Sequence, residues 1–254
     1  MKLRFKTVLA ILIFLPVLLN AAATIRVNKI SFSTNDGVKI YGSFIKPGSP
    51  DKVTFVLLHG LGSSKEEWKH LQGILARKGY GVLAYDARGH GESNKVDDGN
   101  ILNYNFFGDP TETDQWTNMI VDLNSVINFL ISEKEIKRHK IGLIGASIGA
   151  NVAMIYGASH YEVPVIVLLS PGLEYMGLKT LENIDPYKTK KVAIVAAAED
   201  IYAFKSSAIL YSIIKDNPKA SFITTRRGHG VGMFNGRTEN DIMNWIEGKK
   251  EEKK

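Results

Sequence analysis

Lys140-Ile141-Gly142-Leu143-Ile144-Gly145-Ala146-Ser147-Ile148-Gly149-Ala150-Asn151-Val152-Ala153-Met154-Ile155-Tyr156 decides how this chain is read. A short apolar run leads into Gly-x-Ser-x-Gly, and a second apolar stretch follows, so the order is strand, sharp turn, helix. A serine stands at the apex. The turn is tight enough that the residues around the serine must lack bulk, which accounts for Gly145 and Gly149. The hydroxyl is then lifted out of the sheet to a helix N-terminus, where backbone N–H groups and the helix dipole favour negative charge. This is the strand–turn–helix context of a nucleophile elbow. The five-residue string alone is equally an ordinary glycine-rich turn, so its meaning rests on the rest of the chain.

Outward from the elbow, buried strands alternate with helices. Upstream, Thr24 to Ser33 and Val38 to Lys46 flank Asn35-Asp36-Gly37, a hairpin turn signal, and Pro47-Gly48-Ser49-Pro50 then breaks the chain. Val53 to Leu58 and Gly81 to Tyr85 are continuous apolar runs of the kind buried on both faces of a sheet. Between them, Ser63 and Ser64 ahead of Glu66 and Glu67 predict a capping box, with Trp68, Leu71 and Leu75 on one helical face. Asn94 to Thr113 is a long polar and aromatic loop, and Trp116, Met119, Ile120, Leu123, Ile127 and Leu130 form a helical stripe after it. Downstream, Val163 to Leu169, Lys191 to Ala198 and Ala220 to Thr224 read as strands. Ser206 to Lys215 and Thr238 to Trp245 read as helices. The pattern predicts an α/β fold. A mostly parallel central sheet of about eight strands carries an N-terminal antiparallel hairpin and helices on both faces.

With 44% apolar and 23% charged residues, the composition is that of a globular protein with a sizeable core. The N-terminus lies apart from that core. Met1 to Lys6 is basic, Val8 to Leu19 is apolar, and Ala21-Ala22-Ala23 offers small residues for cleavage. Residues 1–23 are expected to be a secretory signal peptide, 24–246 a single domain and 247–254 a charged flexible tail. The apolar run is shorter than the roughly 20 residues of a spanning helix, so no stable membrane span is expected after cleavage, and the localisation is periplasmic or secreted. Loss of Lys2, Arg4 and Lys6 with the leader lowers the net charge from +6 to +3. No basic stripe interleaved with aromatics is present, so no nucleic-acid partner is expected. The chain has no cysteine, which excludes disulfides, a thiol nucleophile and thiolate metal sites. Six scattered histidines without H-E-x-x-H spacing give no metal site, and no phosphate-binding glycine loop points to a nucleotide cofactor.

In such a sheet, chemistry sits just past the C-terminal ends of strands. Ser147, Asp200 and His229 fall there, in the order nucleophile, acid, base. A serine hydroxyl needs a base to take its proton, and histidine suits the task because its pKa lies near neutrality. A carboxylate fixes the imidazole tautomer and stabilises the imidazolium. Glu199 is the alternative acid, but a side chain further past the strand end reaches the base more easily, which favours Asp200. His59-Gly60-Leu61-Gly62 also follows a buried strand. Acyl transfer generates an oxyanion that needs two preplaced donors, and the backbone N–H groups of Leu61 and Ile148 are the expected pair.

With these residues assembled, the chain resembles the α/β-hydrolase superfamily, in its serine esterase, lipase and acyl-hydrolase branch. The resemblance rests on His59-Gly60-x-Gly62, Asp86-Ala87-Arg88-Gly89-His90-Gly91-Glu92-Ser93, Gly145-x-Ser147-x-Gly149, Asp200 and Gly228-His229-Gly230. It implies that Asp86 to Ser93 is a structural loop, which leaves His90 out of catalysis. Ser147 excludes the aspartate nucleophile of related dehalogenases. One departure stands out. Related lipases carry a lid after the strand that follows the elbow helix, whereas only Gly172 to Lys190 stands there, so the cap is minimal. Tyr104, Phe106 and Phe107 of the long loop either shape an acyl pocket or belong to an ordinary surface loop.

The activity expected is hydrolysis of carboxylic esters of short to medium acyl chains, with a small-molecule ester as partner and no cofactor. A thioesterase or an aminopeptidase-like serine peptidase is the alternative. An amine pocket would need acidic groups, and Asp97, Asp98, Asp109, Glu112 and Asp114 are the candidates. A non-catalytic binding protein on the same fold is the third reading, set against an intact Ser–Asp–His series.

Overall fold

Apolar runs without polar alternation form the middle of the sheet, because only strands covered on both faces can bury every side chain. The computed structural model describes residues 25–249. Its first half contains β1 (Asn28–Ser33), β2 (Lys39–Ile45), β3 (Thr54–Leu58), α1 (Lys69–Arg77), β4 (Gly81–Tyr85), α2 (Met119–Lys134), β5 (Ile141–Ala146) and α3 (Ile148–Ser159). The second half contains β6 (Ile166–Leu169), β7 (Glu174–Tyr175), β8 (Leu178–Lys179), β9 (Val192–Ala197), α4 (Ile201–Ile214), β10 (Ala220–Thr225) and α5 (Arg237–Glu247).

Eight strands make one sheet in the order β1-β2-β4-β3-β5-β6-β9-β10, and β7 with β8 forms a separate two-stranded hairpin. β1 pairs antiparallel with β2, and β2 antiparallel with β4. The pairs from β4 through β10 are all parallel. β3, β4, β5, β6 and β9 are buried along their whole length. Two apolar layers cover the sheet. One includes Leu123 and Ile127 of α2, Val152 of α3 and Leu210 of α4. The other includes Leu71 and Leu75 of α1 with Ile242 and Met243 of α5. The fold is therefore the expected one, with helices on both faces. Among the described residues no helix is long and apolar enough to cross a membrane. The leader read at residues 1–23 lies outside the described residues, as does the tail from residue 250 onward.

Local departures have physical causes. The helix after β3 starts as a 3-10 turn over Lys65–Trp68, and the expected capping box does not form. Ser64 Oγ accepts from the Glu66 amide at 3.3 Å, but Glu67 turns away and accepts from the Gly60 amide at 3.1 Å. α4 begins at Ile201, five residues before the periodicity suggests, with Asp200 at its N-cap position. Asp200 makes no side-chain cap bond there because its carboxylate is engaged elsewhere. The segment after β6 is ordered by the β7–β8 hairpin. Its turn residues, Met176 and Gly177, both have positive φ (48° and 76°), as the two-residue hairpin turn matching strand twist requires.

Candidate active site

Five neighbouring parallel strands, β3, β5, β6, β9 and β10, end at one edge of the sheet, and each delivers a residue there. At the end of β5, Ser147 has φ 54° and ψ −122°, a conformation L-residues rarely adopt. Its amide donates to the Leu169 carbonyl of β6 at 2.8 Å. The flanking glycines are sterically required. A Cβ on Gly145 would run into the Gly149 carbonyl, and one on Gly149 would run into the Leu58 carbonyl. The strain at Ser147 is thus held by packing on three sides, which fixes where its hydroxyl stands.

Asp200 and His229 come together from β9 and β10. His229 Nδ1–H donates to Asp200 Oδ2 at 2.6 Å, which leaves Nε2 as the ring's acceptor. Glu199, the alternative acid, instead accepts from Arg226 Nε at 3.0 Å. The histidine loop is tied to β6, because the Gly230 amide donates to Ser170 Oγ at 3.0 Å.

On the other flank of Ser147 lies the loop after β3. A Cβ built on Gly60 would stand 3.5 Å from the Ser147 Cβ, so a glycine lets the loop backbone approach the Ser147 side chain. Among the described residues, neither the Leu61 amide nor the Ile148 amide donates to a protein acceptor. Both remain free for a ligand oxygen. His59 does not contribute to chemistry directly. Its Nδ1–H donates to the Gly60 carbonyl at 2.8 Å, and Nε2 accepts from the Ala87 amide at 3.0 Å. Burial, with His90 beside it, depresses the His59 pKa to about 4, so the ring is neutral. Glu67 braces the same loop through Gly60, and burial raises its carboxyl above the ordinary range.

The Asp86 to Ser93 loop is a buried polar scaffold. Asp86 accepts from the Lys65 amide and ammonium, both at 2.7 Å, and from the Glu92 amide at 2.9 Å. Arg88 makes a two-pronged pair with Asp122, at 3.0 and 2.7 Å. His90 donates to the Arg88 carbonyl and stacks on Tyr104 at 4.2 Å, and burial lowers its pKa. Of the long-loop aromatics, Tyr104 therefore backs the loop after β3, and Phe107 packs on Trp116. Phe106 is 85% exposed. Three acidic residues of this loop are taken up by local partners. Asp97 accepts from Ser33 Oγ, Asp98 from the Asn100 amide and Asp109 from the Thr111 amide and hydroxyl.

Four contributors were not singled out from sequence. Tyr175, at the end of β7, donates its hydroxyl to the Ser170 carbonyl at 3.4 Å and sets its ring edge-on to that of His229. Tyr202, in the first turn of α4, holds the hairpin by accepting from the Glu174 amide at 3.1 Å and donating to its carbonyl at 2.8 Å. Buried Asn151 of α3 donates to the Leu178 carbonyl at 2.8 Å and accepts from the Gly172 amide at 3.1 Å. Ser170 has φ 52° and joins β6 to the histidine loop. The Met176-Gly177 turn was the available signal, masked by methionine at a position that favours asparagine or aspartate.

Fold and site together define an α/β hydrolase. Residues 49–216 match the family model described as serine aminopeptidase, S33 (Hydrolase_4), and the chain belongs to that family. A putative esterase/lipase 2 of Mycoplasma pneumoniae is 30% identical over 120 residues, covering 46% of this chain and 37% of that protein. A putative 2-succinyl-6-hydroxy-2,4-cyclohexadiene-1-carboxylate synthase of Bacillus subtilis is 28% identical over 219 residues, covering 82% of this chain and 71% of that one. Among solved structures, a Pyrococcus furiosus esterase superposes with a TM-score of 0.69 at 23% identity, over 89% of this chain and 93% of its own. The acetyl xylan esterase of Paenibacillus sp. R4 gives 0.67 at 18% identity, over 91% and 86%. These structural likenesses speak for the fold; the family match carries the hydrolase assignment.

Proposed function

We propose that the protein is a serine hydrolase that cleaves carboxylic esters of short to medium acyl chains through an acyl-enzyme intermediate. The observation that carries this reading is the 2.6 Å Asp200–His229 pair, its free Nε2 on the same sheet edge as the strained Ser147. Ser147 Oγ attacks the ester carbonyl carbon as Nε2 of His229 takes the hydroxyl proton. The carbonyl oxygen becomes an oxyanion between the Leu61 and Ile148 amides. The carbon–alkoxy bond then breaks, its electron pair stays on the alkoxy oxygen, and His229 returns the proton to release the alcohol. Water, activated by the same ring, attacks the acyl-serine and releases the acid. Asp200 holds the ring in the tautomer that has Nε2 free.

The acyl preference follows from the hairpin that stands where a lid would be, which leaves the serine lightly covered. An amide-cleaving enzyme is the rival that the family's description keeps, with a thioester-cleaving enzyme beside it. Asp97, Asp98 and Asp109 are each taken up by a local partner, which weighs against their forming an amine-binding cluster. Export by the leader at residues 1–23 is part of the proposal, and N-terminal sequencing of the protein from a native host tests it. For the chemistry, a fluorophosphonate probe should label the folded wild type and not Ser147→Ala. Equal labelling of both removes Ser147 as nucleophile. Nitrophenyl esters and aminoacyl amides, compared by kcat/KM, separate the readings, and faster turnover of amides than of every ester favours the peptidase.

A further inference from the structure

Ser147 is flanked unequally. The loop after β3 offers backbone amides on one side, whereas β6, β9 and β10 bring Tyr175, Asp200 and His229 to the other. The alkoxy group of an ester bound with its carbonyl oxygen on the Leu61 and Ile148 amides must leave toward His229, which returns its proton. Tyr175 stands on that side. Its ring meets the His229 ring edge-on, with centroids 6.5 Å apart and planes at 82°, and its O–H donates to the Ser170 carbonyl at 3.4 Å. The His229 ring is itself held by Asp200 at 2.6 Å.

We propose that Tyr175 is a further catalytic hydroxyl, whose O–H turns from the Ser170 carbonyl to donate to the departing alkoxy oxygen during acylation. The inference rests on the serine-esterase reading above and assigns that site a third donor. No proton leaves the phenol. As the carbon–oxygen bond breaks, the electron pair moves onto the alkoxy oxygen, His229 supplies the proton, and the Tyr175 O–H shares the developing charge. The residue is suited to stay a donor, because burial first, and the nearby Asp200 carboxylate second, push its pKa upward. Its position is set from three directions. Gly172 makes room, since a Cβ there would lie 2.7 Å from the Tyr175 ring. Asn151 anchors the base of the hairpin and Tyr202 its first strand.

A leaving-group donor has a signature that a structural tyrosine lacks. Alkyl esters expel a poor leaving group and need the donor; nitrophenyl esters expel a good one and need it little. Tyr175→Phe is expected to lower kcat on methyl and ethyl esters at least about tenfold, the loss typical of one hydrogen bond to a charged group. The nitrophenyl ester of the same acid should change less than about threefold. Tyr202→Phe keeps the Tyr175 hydroxyl but loosens the hairpin, and it should lower both rates in parallel. Thermal melts and fluorophosphonate labelling report whether each variant is folded with a competent nucleophile. Equal losses on both ester types in Tyr175→Phe, no loss on either, or the same split in Tyr202→Phe would overturn the proposal. A wild type that labels at Ser147 but hydrolyses no ester would instead overturn the esterase reading beneath it.

Discussion

The two flanks of Ser147 are built on different principles. On the β3 side, the loop His59 to Gly62 rests on buried polar groups. His59 clasps Gly60 and Ala87, Glu67 holds the Gly60 amide, and the His90–Tyr104 stack backs the loop. On the β6 side, a hairpin with a two-residue turn stands on Asn151 and is tied by the hydroxyl of half-exposed Tyr202. The first flank carries the amides that would meet an oxyanion, and such donors act best when fixed before charge develops. In the proposed reaction the second would face the part of the substrate that varies from one ester to the next. Rigidity is concentrated where the chemistry is constant, and the lighter construction stands where shape must be negotiated.

The sharpest way to break this comparison is through the pair that serves both flanks. His229→Ala should keep the fold and lose activity by about a thousandfold or more, and Asp200→Asn should lose by a similar order by favouring the wrong tautomer. Glu199→Gln, whose carboxylate is taken up by Arg226, should stay within about twofold. Steady-state kinetics on a nitrophenyl ester decides. A large Glu199 effect with an active Asp200→Asn would exchange the two acids.

Acid tests the braced flank next. His59 is neutral in the fold, with its pKa depressed from 6.5 to about 4 by burial and by His90. Between those values the unfolded chain binds the extra proton and the folded one does not, so stability rises with pH across that window. Acidification from pH 6.5 to pH 4 should therefore remove up to about 3 kcal/mol, at 1.36 kcal/mol per pKa unit. His90, also depressed by burial, acts with the same sign. Protonation would set a new N–H against the Ala87 amide, so the β3 loop is the expected point of failure. Urea melts at both pH values test this, and His59→Asn should flatten the dependence. An unchanged slope in that variant would move the acid sensitivity elsewhere.

The same division explains what could be read in advance. The sheet, the elbow and the order Ser147, Asp200, His229 were legible because each follows from local rules: unbroken apolar runs, glycines where a Cβ collides, and polar residues past strand ends. The hairpin was not. Glu174 to Lys179 is too short to show a period, and Met176 sits at a positive φ without the residue type that signals it. Glu67 was misread for the opposite reason. Its spacing from Ser64 satisfied a local pattern, but a tertiary partner, the Gly60 amide, took the carboxylate. Tyr175 needs tertiary geometry, since its neighbours Ser170 and His229 come from two other strand ends.

Glu67→Ala sharpens the comparison at a smaller scale. It leaves the Gly60 amide without its acceptor, a loss of about 1–2 kcal/mol in stability, and lets the adjoining Leu61 amide wander. The expected outcome is a kcat reduced about tenfold with KM nearly unchanged, because the lost donor geometry matters most to the transition state. Glu67→Gln retains a carbonyl acceptor and should recover most of the rate. A variant that raises KM alone would place Glu67 in substrate binding rather than in bracing the loop.

The smallest effect should come from Tyr202→Phe, which removes one hydroxyl that both donates to and accepts from Glu174. Because the tyrosine is half exposed, water replaces part of what is lost, and global stability should fall by no more than about 1 kcal/mol. The local consequence is larger than the global one. The Glu174 amide loses its protein acceptor, so its hydrogen exchange should speed by about tenfold, while exchange on the Gly60 to Gly62 loop stays as in the wild type. Hairpin and loop share no hydrogen bond, and the strained Ser147, pinned by Leu169 and the packed glycines, stands between them. If loosening the hairpin also freed the loop amides, the two flanks would be one mechanical unit, and the lighter flank could not vary without disturbing the oxyanion donors.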